Sequence, residues 1–522
     1  MTGVQTCALP ILVLTIDCGT QGIRAIVFDK TGRALVKTEK RFEGYYSKKP
    51  HYVEAPPAMF WEDLASVTLE MKRCYPEYIA ALSGMNIAVQ RDIATIVDEK
   101  GEGLRDFISW MDRRTLEKPL TIPQPYRFAF WIAGKKAFTE SFNTGTHAHW
   151  IKVHEPELWS AADKYIFLST YLINKLTGRM VDATSNIAGH FPFDFKHKKW
   201  CGPYEIKRQI IQIEREKLCD LVDSCQVIGV ITPEAAQKTG LPEGLPLVGS
   251  GTDKGCETIG VGCVNEGCAS VSLGTQATVE TTSRRYYELV PFYPPFPGVD
   301  PKAFNPEITV YHGFWMINWF IETFAGKERE DCEKRGENLL DYLNGQLLTV
   351  PAGSGGLVLQ PYWGQESFKP EAKGSIIGFS ERHSKYHIYR SIIEGLAFAL
   401  LEGLETIEKK SGVRVETIGL SGGGSRSDNI AQIMANVFGR EVYRVQTYET
   451  TGLGGAMATY VGLGVYPDLE TAGAEMVRKS RRFLPDFEEN KLYADLYRKV
   501  YKRAYKRYKP LYKRLGKIES AQ

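Results

Sequence analysis

Asp17, Gly19, Thr20, Gln21 and Arg24 fall within eight residues, spaced Asp-x-Gly-Thr-Gln-x-x-Arg. A glycine turn lets backbone N–H groups come close to an anion. Thr20 and Gln21 add polar groups, Arg24 adds positive charge, and Asp17 offers the hard oxygen that Mg²⁺ prefers. The group reads as a phosphate-binding turn with a metal ligand at its edge, or as a plain hairpin. Gly274-Thr275-Gln276 repeats the tripeptide about half a chain later. A third segment, Gly422-Gly423-Gly424 with Ser427 after it, separates an apolar run from a helical pattern. It suits a flat ligand or phosphate at a helix N-terminus, and equally a tight turn in which Ser425 or Ser427 caps the helix. No Gly-Lys-Ser/Thr occurs, which excludes a Walker-type phosphate loop.

Asp253 lies in Gly249-Ser250-Gly251-Thr252-Asp253-Lys254-Gly255. A carboxylate there suits proton removal from a substrate hydroxyl during phosphoryl transfer. It also suits the N-cap of a helix starting at Lys254. Val89-Gln90-Arg91-Asp92 puts a charged pair into an otherwise apolar strand, where it must be paired or functional. Trp110, followed by Met111-Asp112-Arg113-Arg114, suits a sugar: the indole face stacks on C–H groups while acid and arginine bind hydroxyls. An ordinary salt bridge explains each of these two segments singly.

The elements that would position these residues can be read from periodicity. Leu12–Asp17, Ile23–Phe28 and Ala34–Thr38 read as three strands of a meander whose first turn is the glycine turn. Ala269–Leu273 and Ala277–Thr282 flank the second Gly-Thr-Gln in the same setting, which predicts two similar domains. Asn86–Val97, Leu245–Val248 and Val415–Leu420 read as further strands. Pro56–Met71, Glu157–Leu176, His387–Lys409, Asp428–Phe438 and Thr450–Leu463 read as helices. The domain link is expected near 254–268, and Pro291–Pro306 as an irregular loop.

The 522 residues are 43% hydrophobic and 24% charged, with no apolar run long enough to span a bilayer. The net charge of +3 is local: Arg498–Lys517 holds ten Lys/Arg and no acid, so the rest is net negative. That excludes a general nucleic-acid surface, and the tail reads as a solvated helix packed on the body. The ten cysteines include no Cys-x-x-Cys and are expected as reduced, mostly buried thiols in a cytoplasmic protein. Met1–Ile11, MTGVQTCALPI, resembles a translated sequencing adapter and is set aside from fold reasoning.

Together these motifs resemble the FGGY family of carbohydrate kinases over about Leu12 to Leu511. Phe142–Trp150 resembles the first family signature, with His147 in place of a usual lysine. Gly374–Phe379 with His387–Glu394 resembles the second. The resemblance implies an α/β fold of two actin-like (ribonuclease-H-like) ATPase domains flanking a cleft. Residues 12–256 would form the sugar-side domain, 257–490 the ATP-side domain, and 491–522 a basic C-terminal helix and tail. It implies ATP and Mg²⁺, with Asp253 as catalytic base and Asp17 on the metal. Thr20, Gln21, Arg24, Gly274, Thr275, Gly422, Gly423, Gly424 and Ser427 would bind ATP and its phosphates. Gln90, Arg91, Asp92, Trp110, Phe142, Asp253 and Lys254 would meet a small sugar or polyol.

No nucleic-acid or membrane partner is expected, and a homodimer is the one candidate assembly. The pentulose kinases of the family carry Met-His-Gly where this chain has Gln90-Arg91-Asp92, and glycerol kinases carry Gln-Arg-Glu with a tyrosine in place of Phe142. The substrate therefore stays open among glycerol, a pentulose such as xylulose, and autoinducer-2. A non-catalytic sugar-sensing regulator of the same fold is the main alternative, and a dinucleotide oxidoreductase resting on Gly422–Ser427 alone is a weaker one.

Overall fold

The structure, a computed structural model, describes residues 11–364 and 369–519. Of the segment set aside at the N-terminus, Met1–Pro10 lies outside the described residues.

Two six-stranded sheets carry the fold. The first contains β1 (Leu12–Cys18), β2 (Gly22–Asp29), β3 (Ala34–Arg41), β4 (Leu82–Val89), β5 (Val227–Val230) and β6 (Pro246–Val248), in the order β3-β2-β1-β4-β6-β5. The second contains β7 (Cys268–Leu273), β8 (Ala277–Thr281), β9 (Glu307–Val310), β10 (Thr417–Ser421), β11 (Glu441–Val445) and β12 (Lys479–Phe483), in the order β9-β8-β7-β10-β11-β12. In both sheets the successive pairings are antiparallel, antiparallel, parallel, parallel and antiparallel. The two Gly-Thr-Gln turns thus occupy the same place in two copies of one topology. Every residue of β1 and β7 is buried, as covered central strands require.

The helices that bear on the site are α1 (Pro57–Cys74), α2 (Lys136–Thr144), α3 (Asp253–Gly260), α4 (Lys385–Ser411), α5 (Asp428–Phe438), α6 (Thr450–Gly462) and α7 (Lys502–Glu519). Each sheet has its own apolar core. A further cluster joins Val13, Ile26 and Phe28 of the first sheet to Cys256 and Ile259 of α3 and to Leu453 and Met457 of α6. Gly454 lets these two helices touch, because a Cβ there would fall on the Cys256 carbonyl. Residues 254–260, read from sequence as part of a link, are therefore helix within a core that joins both halves, and position 256 falls inside α3.

Other elements also depart from expectation. Asn86–Val97 is not one strand: β4 ends at Val89, Asp92 takes a left-handed φ of 54°, and a new strand runs over Ala94–Val97. Glu157–Leu176 contains two helices, Pro156–Ala161 and Leu168–Thr177. The aromatic and β-branched Tyr165-Ile166-Phe167 between them pair as a strand with Ala94–Val97. Phe296–Pro297 and Phe304–Asn305 pair within the expected loop.

The C-terminal helix does pack on the body. A π turn at Tyr497–Tyr501 shifts its register, so Tyr493, Tyr497, Tyr501 and Tyr512 are buried and Leu511 is not. Cys263 and Cys268 form a disulfide, against the expectation of thiols throughout. Seven other described cysteines are free, five of them buried. Among the described residues no helix is long and apolar enough to cross a membrane.

Candidate active site

The parallel strands of both sheets end at one cleft, as ligand sites in open α/β sheets require. The turn after β1, residues 90–92 after β4, and Asp253 after β6 face the turn after β7 and the glycines after β10. All line a single cavity of about 2240 Å³. A pocket for one small ligand is about 300–1,000 Å³, so this cleft has room for two substrates.

Asp17 and Asp253 lie on its floor. The register of β1 against β2 places Asp17 opposite Arg24, whose Nη1 donates to Asp17 Oδ2 at 3.0 Å. Burial pushes the Asp17 carboxyl up to about 6; Arg24 opposes the rise and the charge of Asp253 adds to it. Burial likewise raises Asp253, against the pull of Lys254 and Arg91. Thr252, not Asp253, caps α3 by accepting from the Gly255 N–H at 3.2 Å. The Asp253 carboxylate is thus the first side chain of the helix and accepts from the Lys254 N–H at 2.8 Å. Lys254 is committed elsewhere: its Nζ donates to Glu257 at 2.7 Å and to Ser272 at 2.6 Å. Two buried carboxylates of raised pKa, Asp17 paired with an arginine it shares with other acids and Asp253 with its backbone neighbour, suit Mg²⁺, which commonly takes one or two carboxylates and completes its shell with phosphates and water. Among the described residues no cluster of three or more metal-ligating side chains exists.

Thr20, Gln21, Gly274 and Thr275 line the cleft from opposite sides. Trp110 Nε1 donates to Thr20 Oγ1 at 3.2 Å, tying the first turn to the Trp110 loop. Arg24 reaches the cleft but shares its guanidinium with Asp17, Glu39 and Glu449. Gly422, Gly423 and Gly424 line the cleft together with Phe314, Ile317, Leu340, Asn344 and Ile430. Gly424 packs so near the Phe314 ring that a Cβ would overlap it. Ser427 is not in this lining: its Oγ caps α5 by accepting from the Ile430 N–H at 3.4 Å.

Gln90, Arg91, Asp92, Trp110 and Phe142 line the same cleft from the first half of the chain. Gln90 Nε2 donates to the Gly19 carbonyl at 3.1 Å and to the Tyr45 hydroxyl at 2.9 Å. Its buried Oε1 has no partner among the described residues. Arg91 is bonded through each of its three nitrogens: Nη1 donates to Glu307 at 2.7 Å, Nη2 to Glu280 at 3.3 Å and Nε to Thr252 at 3.1 Å, with the guanidinium 4.0 Å above the Phe296 ring. Burial, followed by the charge of Glu307, drives the Glu280 carboxyl far above its ordinary range. Glu307 is held down to about 2 by Arg91 in spite of its burial. Through these two acids Arg91 joins the first sheet to the second.

Sequence reasoning missed Glu280, Glu307 and His190. The first two did carry a signal, since each is an acid in an apolar strand.

The profile of the FGGY family of carbohydrate kinases, N-terminal domain, matches residues 12–260, and that of the C-terminal domain matches residues 269–463. Xylulose kinase of Bacillus subtilis is 27% identical over 93% of this chain and 95% of its own length. Autoinducer-2 kinase of Klebsiella pneumoniae is 26% identical over 93% of this chain and 92% of its own. A crystal structure of gluconate kinase from Lactobacillus acidophilus superimposes with a TM-score of 0.82 at 21% identity, covering 97% of this chain and 100% of that one.

Proposed function

The chain belongs to the FGGY family of carbohydrate kinases, which are sugar phosphotransferases, and from that premise we propose that it moves the γ-phosphoryl group of ATP to a hydroxyl of a small sugar or polyol, with Asp253 as base. The observation that carries the reading is the position of Asp253. It opens α3 at the floor of the cleft, between the two Gly-Thr-Gln turns and beside the Gln90–Asp92 loop.

Asp253 takes the proton of the substrate hydroxyl as that oxygen bonds to phosphorus and the bond to the departing ADP oxygen breaks. Burial favours that uptake, because it disfavours the carboxylate. Thr20, Gln21, Gly274 and Thr275 hold the phosphates through turn N–H groups and hydroxyls, and Gly422–Gly424 with Phe314 receive the base. Asp17 would hold Mg²⁺, which supplies charge neutralisation on the phosphates. Gln90, through its unpartnered Oε1, orients the sugar with Trp110 and Phe142, and Asp92 acts on it through the His190 ring that it holds. Arg91 acts from behind them, by tying the cap of α3 to Glu280 and Glu307.

The test is coupled ADP release with ATP and Mg²⁺ against pentuloses, hexuloses, gluconate, glycerol, tetritols and the autoinducer-2 precursor. Release that depends on one of these is expected. A folded, ATP-binding protein that releases no ADP with any of them would overturn the reading.

A further inference from the structure

Two left-handed residues meet at the sugar end of the cleft. Asp92 has φ 54° and Gly189 has φ 63°. This backbone is uncommon for a residue with a side chain, and such residues gather at functional sites. Gly189 is required by the contact itself, since a Cβ there would lie 2.5 Å from Asp92 Cγ. What the close approach delivers is His190. Its Nδ1 stands 3.3 Å from Asp92 Oδ2, and its backbone N–H also faces that carboxylate. The ring is set 4.6 Å from Phe142, with His147 at 6.3 Å. The side chains of His190 and Asp92 are 28% and 27% exposed, so both are held in place yet open to the cavity they line.

An ionised carboxylate only accepts hydrogen bonds. In the neutral ring this contact puts the proton on His190 Nδ1 and leaves Nε2 with a lone pair. Nε2 has no hydrogen-bond partner among the described residues. We propose that His190 is a specificity-determining residue: its Nε2 accepts a hydrogen bond from a substrate hydroxyl other than the one phosphorylated, and Asp92 fixes the tautomer that makes this possible. The ligand class is a polyhydroxylated chain with at least one hydroxyl beyond the reacting one. The inference rests on the kinase reading but concerns a different group from Asp253.

Three variants test it. His190→Phe keeps the ring packing and removes the acceptor. Asp92→Asn keeps the shape and frees the tautomer, because a carboxamide offers a donor as well as an acceptor. His190→Gln returns an acceptor to about the same place. The assays use whichever of D-xylulose, D-gluconate and glycerol the wild type phosphorylates fastest.

His190→Phe and Asp92→Asn are each expected to lower kcat/KM for the sugar about tenfold or more through KM, leaving the ATP KM in place. The double variant should lose little more than either single one, and His190→Gln should recover part of the loss. Nitrogen-15 NMR of the histidine-labelled protein gives a readout that needs no turnover. The resonances missing in His190→Phe should report Nδ1 protonated and Nε2 bare in the wild type. An Nε2–H tautomer, or a sugar KM unmoved in His190→Phe, would overturn the inference. If none of the three sugars is phosphorylated, the tautomer alone decides it, separately from the kinase reading.

Discussion

Arg91→Ala should unfold this protein more easily, and the deficit should shrink in acid. Arg91 is bonded to Glu307 at 2.7 Å, to Glu280 at 3.3 Å and to Thr252 at 3.1 Å. The side chains of Arg91, Glu307 and Glu280 are only 14%, 5% and 2% exposed. Removing one partner of a buried ion pair costs about 3–5 kcal/mol, because the other charge stays buried without compensation. In the wild type, Arg91 holds the Glu307 carboxyl down to about 2 against its burial. A depressed folded-state value contributes stability that is present above the unfolded carboxylate range and is lost as pH falls toward that folded value. Without Arg91 the Glu307 carboxyl rises, so the variant lacks this contribution at neutral pH. Burial without a cation lifts the variant's Glu307 above the unfolded range, so it takes up a proton as pH falls, and the deficit is largest near pH 7 and narrows toward pH 5. Urea unfolding of the two proteins at both pH values, read at the earliest transition, measures this. The double variant Arg91→Ala/Glu307→Gln should recover part of the loss, since no orphaned charge remains. A single variant within about 1 kcal/mol of wild type at pH 7, or a deficit that widens in acid, would refute the argument.

Gly454→Ala drives a methyl group into the Cys256 carbonyl between α6 and α3; overpacking of this kind costs about 1–3 kcal/mol, seen as a lowered melting temperature, and a kcat that falls with it would show that α3 and Asp253 have shifted together. Gly424→Ala meets the Phe314 ring and should raise the ATP KM about tenfold, the loss of roughly 1.4 kcal/mol, with the sugar KM little changed. Steady-state titrations of both substrates check that split, and the reverse pattern would place the glycines outside the nucleotide slot.

The duplicated topology was legible in the sequence because the two Gly-Thr-Gln turns sit between strands of the same apolar pattern. Asp253 was legible as an acid after a short strand, but its local role was not. Whether Thr252 or Asp253 caps α3 depends on which side chain reaches the Gly255 N–H, and both residue types serve as caps. Ser427 shows the reverse: its hydroxyl was claimed for the nucleotide and for the cap, and in the structure it caps α5. The charge at Arg91 stood out within an apolar segment, yet its partners lie about two hundred residues away on β8 and β9. No local pattern joins such distant positions. His190 was invisible for the same reason, since its meaning comes from Asp92, and the left-handed turn at Asp92 that creates the pair broke the strand that periodicity predicted. The boundary near residue 256 was obscured because α3 belongs by packing to a core shared between the halves.

The most direct test of the central claim is sugar-dependent ADP release by Asp253→Asn beside the wild type, with ATP binding followed in parallel by thermal shift. Loss of a positioned general base lowers turnover about 10²–10⁴-fold. The account predicts a fall of that size in kcat, with the fold and the ATP-induced shift intact. Turnover close to wild type in the asparagine variant would contradict it.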